Sequence, residues 1–319
     1  MALAVDELNT ATYEAKLDEI ATDNAYDESP FFKLKLAKGG FTQQKGGEEL
    51  NFAINYKKQG TAESAAPRKQ ITFENVETLT EGKTYWAFYN ARAMMFWDEK
   101  VKNAGKSKVI DLAANRIEVL KKEILDKLCT DLLKSGSPAG DYDLTPIPYI
   151  VDSANTYGGI AVADAANWAS QEDSSTTTLT LFGSGSLSYY INACSLGTNR
   201  PTLHLTTRNL YSKFMSKAEP MHLHMDEETA KLGFQNLVWI DAPVMGDNYV
   251  PAGYWLGLDM DAFDVLVNGG KNGIEYTPWI DLTPSGYINT AGKIATFVGQ
   301  VICRRRRTSF KYSALDYTL

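Results

Sequence analysis

Residues Lys106 to Ser135 read KSKVIDLAANRIEVLKKEILDKLCTDLLKS. Ile110, Ala113, Ile117, Leu120, Ile124, Leu128 and Leu132 recur at spacings of three and four, which is one continuous face of an α-helix. Asp111, Arg116, Glu118, Lys121, Lys122, Asp126 and Lys127 fall between them and make the opposite face polar. Ser107 is placed to cap the N-terminus, and the Gly136-Ser137-Pro138-Ala139-Gly140 run ends the helix. At 1.5 Å per residue such a helix is roughly 40 Å long, more than a small compact domain needs. It reads as a spine along which other elements are hung.

The 319 residues are near the length at which one hydrophobic core stops growing, so two lobes are expected. With 44% hydrophobic and 22% charged residues the composition is that of a soluble globular protein. No apolar run is long enough to span a bilayer, and the acid at Asp6 comes too early for a signal peptide. Cys129, Cys194 and Cys303 are odd in number and scattered, as expected of reduced thiols in a reducing compartment. The formal net charge of −7 argues against a dedicated nucleic-acid binder, though not against a local basic patch.

On the N-terminal side, residues 1–45 read as an arm. Leu3, Val5, Leu8, Leu17 and Ile20 are sparse among polar residues, and Ala21 to Pro30 is acidic and turn-forming. Phe31 to Leu36 then forms a short apolar patch that needs another surface to lie on; the alternative is a frayed terminus. From Leu50 the period becomes two, with Leu50, Phe52, Ile54 and Tyr56 on one face of a strand. Lys57 to Gln70 is polar, and Ile71 and Phe73 resume the alternation, leading to the aromatic run Tyr85 to Tyr89. A connection of about 14 residues exceeds the usual two to five of a hairpin, so the tip is either disordered or reaches for a partner. Lys57, Lys58, Glu63, Arg68 and Lys69 are its candidate contact residues. Asn90 to Lys102 has helical spacing and leads into the spine.

On the C-terminal side, Tyr149 to Val151 reads as a strand, Tyr157 to Ile160 as a turn, and Trp168 as an apolar anchor. Gln171 to Thr178 reads as a lobe boundary, after which helical and strand patterns alternate. Leu187, Tyr190, Ile191 and Cys194 share a helix face, and Leu203 and Leu205 lie on a strand. Thr207 caps a helix carrying Leu210, Tyr211, Phe214 and Met215. Leu237 to Ile240 and Tyr254 to Leu258 are further strands, Asn268 to Gly273 a glycine-rich loop, and Ile294 to Phe310 a returning strand-like tail.

Signatures of catalysis are poor. Gly105-Lys106-Ser107 resembles the end of a phosphate-binding loop, but Lys100 stands where its first glycine belongs. Gly183-Ser184-Gly185-Ser186 lacks the spacing of a nucleophile elbow, and neither HExxH nor a CxxC pair occurs. His222 and His224 share one face if extended and could hold a metal with one carboxylate. The plainer reading is a polar loop capping a helix near Asp226, since no third ligand is indicated. Arg304, Arg305, Arg306 and Arg307, read as a strand, send two guanidinium groups to each face, toward phosphates, neighbouring carboxylates or solvent.

An arm, a long two-stranded loop, a spine helix, an α/β lobe and returning strands follow one another along the chain. The wording is also distinctive: Tyr157-Gly158-Gly159-Ile160 with Trp168 soon after, Arg200-Pro201-Thr202, Asn209-Leu210-Tyr211, Gly233-Phe234, Ala242-Pro243-Val244 and Val250-Pro251-Ala252-Gly253. In this order the pieces resemble the major capsid proteins of tailed bacteriophages with the Hong Kong 97 fold. The resemblance implies an α+β chain with an arm over 1–45 and an extended loop over 46–90. It implies a peripheral domain over 91–178 containing the spine at 106–135, an axial domain over 179–282, and C-terminal strands over 283–319 that return to the peripheral domain.

The function it implies is an icosahedral virion shell of hexamers and pentamers around double-stranded DNA, assembled in the host cytoplasm. Its partners would be further copies of the chain, a separate scaffolding protein, a portal protein and packaged DNA, with no catalytic residue, cofactor or metal. Some relatives crosslink through a loop lysine; Lys57, Lys58 and Lys69 are available, but no motif carries that chemistry over. A loop too long for its hairpin and an arm without a core both need neighbours, which suits many weak repeated contacts. The alternatives are an encapsulin-like compartment and, in another class, a metal-dependent enzyme using His222 and His224.

Overall fold

The computed structural model describes residues 29–38, 41–102, 112–218, 236–268, 273–287 and 289–318. The chain divides into two units, one of residues 1–27, 89–127 and 274–297, the other of 28–88, 128–273 and 298–319. The fold is mixed α+β.

In the second unit, α1 (Pro30–Ala37) precedes β1 (Thr42–Gln43), β2 (Glu49–Asn55) and β3 (Leu79–Tyr85). The apolar patch at the arm's end is α1, started by Pro30, and Phe31 is fully buried with its ring 6.2 Å from Phe263. Burying that ring contributes about 2–3 kcal/mol, so this part of the arm has its covering surface within the same chain. Later come β10 (Phe263–Val267) and β13 (Ala291–Cys303), paired antiparallel from Phe263↔Cys303 to Val267↔Gly299, with β1 parallel on the other edge of β10.

The core of this unit is a six-stranded mixed sheet. Its strands are β5 (Gln171–Asp173), β6 (Leu203–Thr206), β7 (Asn236–Trp239), β8 (Ala242–Gly246), β9 (Trp255–Leu258) and β14 (Phe310–Tyr312), in the order β5-β14-β9-β6-β8-β7. β6 and β9 are buried along their whole length, so His204 and Thr206, which alternate with Leu203 and Leu205, are buried as well. α5 (Leu187–Cys194) and α6 (Arg208–Ala218) pack Leu187, Ile191, Leu210 and Phe214 with Val244, Trp255 and Phe310. Ser186 Oγ accepts from the Tyr189 amide at 3.3 Å, and Thr207 Oγ1 accepts from the Leu210 amide at 3.4 Å, so each helix starts at a side-chain cap. The β7–β8 hairpin turns through Ile240 and Asp241, both with positive φ (46° and 61°). Residues 171–178 are the edge strand β5 and a turn gathered by the Asp173 carboxylate, not a linker.

In the first unit, β11 (Ile274–Tyr276) and β12 (Ile280–Asp281) pair antiparallel with the N-terminal half of β13. β4 (Ala87–Met95) also pairs with β13, and Tyr89 packs near Phe297 at 6.4 Å. α2 (Trp97–Lys102) follows, and Arg116 reaches Glu99 at 3.0 Å. The expected helix over Asn90 to Lys102 is therefore strand as far as Met95. Its alternation rests on Ala87, Tyr89 and Ala91, and alanine is too small to mark a buried face in the sequence.

The long helix expected from the spacing is α3 (Leu112–Leu133), about 33 Å at 1.5 Å per residue; Ser107 and the first predicted turn lie outside the described residues. Leu120, Ile124, Leu128 and Leu132 are buried as the spacing requires, whereas Ile117 is half-buried. Tyr149 to Val151, expected as a strand, instead belongs to the short helix α4 (Ile147–Ile150) and its C-cap. Pro146 and Pro148 fix φ at the first turn, where a missing N–H costs nothing. All three cysteines are buried thiols, and burial pushes Cys194 and Cys303 up to about 12. No described helix is long and apolar enough to cross a membrane.

Candidate functional site

β2 and β3 form a separate two-stranded ribbon in register from Glu49↔Tyr85 to Asn55↔Leu79. Leu50, Phe52 and Ile54 are buried and their neighbours exposed, as the period-two pattern requires. The connection is longer than expected. Residues 56–78 carry no helix or strand, and Ile71 and Phe73, read as resumed alternation, stand outside the ladder at 61% and 97% exposure. Leu79 at the start of β3 is also exposed.

Of the five polar candidates on this loop, the structure brings two together. Lys69 Nζ meets Glu63 Oε2 at 2.6 Å, across a turn closed by the Lys69 amide on the Ala66 carbonyl. Both side chains are about half exposed, so the pair contributes about 0–1 kcal/mol. Lys57, Lys58 and Arg68 are exposed. Ile71 and Phe73 are exposed loop residues that the alternating pattern does not reveal; their signal is apolar character directly after a polar, Pro-containing tip.

The middle of the ribbon is held tightly. Phe52 lies opposite Gly82, and a Cβ on Gly82 would sit 2.5 Å from its ring. Gly158, with φ +63°, approaches the same ring, and its carbonyl accepts from the Lys83 amide at 3.0 Å. From Phe52 a line of ring contacts continues into the body. Phe52 and Tyr157 centroids are 5.8 Å apart, Tyr157 and Trp168 stack at 5.7 Å, and the Arg306 guanidinium lies 5.1 Å from the Trp168 ring centre. The Cys303 amide donates to the Tyr157 hydroxyl at 2.9 Å; burial raises the pKa of that phenol.

The arginine run departs from its expected geometry. β13 ends at Cys303 and Arg306–Thr308 is a 3₁₀ turn, so the four side chains do not alternate. Arg306 is fully buried within the chain, donating to the carbonyls of Asn155 (3.0 Å) and Asp152. Its aromatic and carbonyl partners are distant in sequence, and that is why a charge run misreads as solvated. Arg304 pairs with Asp264 at 3.1 Å and Arg305 with the buried Asp259 at 3.3 Å; Arg307 is half-buried.

Close by, Lys311 Nζ bridges Asp152 at 2.6 Å and Glu172 at 3.1 Å in a nearly dry setting. Burial alone would raise the Asp152 carboxyl, but hydrogen bonds from Lys311 and the Ala154 and Asn155 amides hold it below its usual range.

His222 and His224 lie outside the described residues. Among the described residues no group of three histidine, cysteine or acidic side chains is placed to hold a metal. His204 is buried in β6, its Nδ1 accepting from Trp255 Nε1 at 3.5 Å, and burial lowers it to about 3.

The resulting architecture is that of phage capsid-shell proteins. The chain superposes on one from the capsid asymmetric unit of cyanophage A-1(L) with a TM-score of 0.68 at 14% identity, over 95% of this chain and 97% of that one. A chain from Mycobacterium phage Adephagia gives 0.59 at 12% identity over 100% of both. The holo-SrpI encapsulin complex from Synechococcus elongatus PCC 7942 gives 0.56 at 10% identity over 100% of this chain and 98% of that one. No family profile and no curated protein sequence matches the chain.

Proposed function

We propose that this chain is the major capsid protein of a tailed bacteriophage, many copies of which close an icosahedral head around double-stranded DNA. The observation that carries this reading is the anchored ribbon ending in exposed apolar chain, within a fold that matches capsid subunits from end to end. Exposing Phe73 to water gains nothing within one molecule; a neighbouring copy that covers it recovers the burial. On this reading 46–90 is the extended loop, 91–178 the peripheral domain on the spine, 179–282 the axial domain, and 283–319 the returning strands. Hexamers and pentamers, a scaffolding protein, a portal protein, packaged DNA and assembly in a bacterial cytoplasm belong to the same reading. The role is structural rather than catalytic. Arg304, Arg305 and Arg307 are the basic residues of the run left to meet a neighbour or DNA.

Expression of the chain, followed by sizing and negative-stain microscopy, tests it. Closed shells are expected; a stable small species under every assembly condition would overturn it. A second reading, an encapsulin-like compartment, is favoured by the match to the SrpI encapsulin chain over nearly the full length of both. Cargo separates the two: nuclease-protected DNA in particles from infected cells supports the head, and a co-purifying enzyme supports the compartment.

A further inference from the structure

The loop ribbon has only two strands, which is marginal by itself, so its direction must come from what its strands touch. Those contacts converge on one place: the Phe52 ring against Tyr157, and the Lys83 amide on the Gly158 carbonyl. Tyr157 is itself fixed by its hydroxyl on the Cys303 amide and by its stack on Trp168. The indole N–H of Trp168 has no acceptor among the described residues, so ring contacts rather than a hydrogen bond hold this side chain. One of them is to Arg306, whose guanidinium is locked by two backbone carbonyls.

We infer that Trp168 is a positioning residue for the loop: the contact line Phe52–Tyr157–Trp168–Arg306 sets the direction in which the β2–β3 ribbon leaves the body, and hence where its tip meets a neighbouring copy. The second half of this statement rests on the shell reading. The first does not, because it is a property of the single chain. A planar side chain at 168 is required, and the indole nitrogen is not.

Hydrogen exchange of the purified, unassembled chain tests it, read at the Lys83 amide and along β3, with the β6 amides of Leu203 to Thr206 as the internal reference. Trp168→Leu is expected to raise ribbon exchange tenfold or more and leave β6 unchanged, while Trp168→Phe keeps the parent's rates. Under assembly conditions Trp168→Leu should give shells that are fewer or irregular in size, and Trp168→Phe normal ones. Unchanged ribbon exchange in Trp168→Leu, or an equal rise in β6, would overturn the inference and make Trp168 an ordinary core residue. If Trp168→Leu does not fold, Trp168→Met is measured in its place, and failure of both to fold has the same meaning. A parent chain that forms no shells refutes the shell reading alone, since the exchange comparison is made without assembly.

Discussion

Phe52 and Gly82 face each other in register across the ribbon, with the ring occupying the space where a side chain at 82 would begin. Gly82→Ala would bring a methyl within 2.5 Å of the Phe52 ring. Overpacking of this kind costs about 1–3 kcal/mol. Adding Phe52→Leu should recover part of the loss, because the smaller side chain leaves the methyl room. Urea denaturation of the two single variants and the double variant measures the coupling, and simple additivity would show that the two positions do not share this space.

Replacing Gln59 to Arg68 by a short glycine-containing turn should leave a folded chain, since exposed loops contribute little to a core. The same change should abolish or greatly slow shell formation, because the missing contact recurs at every interface. Phe73→Ser, a single substitution at a 97% exposed ring, should act in the same direction with no loss of stability. Circular dichroism reports the fold, and light scattering with microscopy the shell. Normal shells from both would make the loop a tolerated surface insertion.

The spine can be probed face by face. Ile124→Asp puts an unpaired carboxylate into a buried seam and should cost about 3–5 kcal/mol. Glu118→Gln, exposed and paired with Lys122 at 3.0 Å, should cost about 0.3–0.5 kcal/mol. Ile117→Asp should fall between them in the unassembled chain, as that residue is half-buried. Yields of soluble protein and urea midpoints give the ranking, and equal losses at 118 and 124 would contradict the face assignment.

His204 makes stability depend on pH with a definite sign. Burial lowers its folded pKa to about 3 from an ordinary 6.5, so the unfolded chain takes up the proton first as pH falls. Its contribution is complete above pH 6.5 and drains as pH falls from 6.5 toward 3. Asp173 acts lower. Burial tends to raise it, but Thr176 and Ser175 outweigh burial and hold it at about 2, so its contribution is lost only as pH falls from 3.8 toward 2. Unfolding free energies from pH 7 to 4 should therefore be flatter in His204→Leu than in the parent. An unaltered slope would mean that His204 is not held neutral in the fold.

The parts of the fold that were legible in the sequence are those whose burial is wide and regular. The long helix's face, the helices that follow Ser186 and Thr207, and strand β9 carry their packing in their own spacing, whereas β6 alternates Leu203 and Leu205 with His204 and Thr206 and is nonetheless buried on both faces. β4 was not legible, because Ala87 and Ala91 mark its buried face with too little apolar character. Ile71 and Phe73 alternate as a strand would, yet among the described residues no strand pairs with them, and partners are a tertiary fact. The same holds at the middle of the ribbon. Tyr157 and Trp168 stood out as words, but their contacts with Phe52 and Arg306 join segments far apart in the chain. Gly82 inside a strand pattern was the one local hint of a close approach.

The buried thiols give the chain a chemical clock of its own. With Cys194 and Cys303 pushed up to about 12, almost no thiolate exists at neutral pH while the fold is closed. An alkylating reagent therefore counts openings rather than molecules. Because Cys129 lies on the spine, Cys194 on a helix of the α/β sheet and Cys303 at the end of the long strand, the order in which the three masses appear in a spectrum maps which region lets go first.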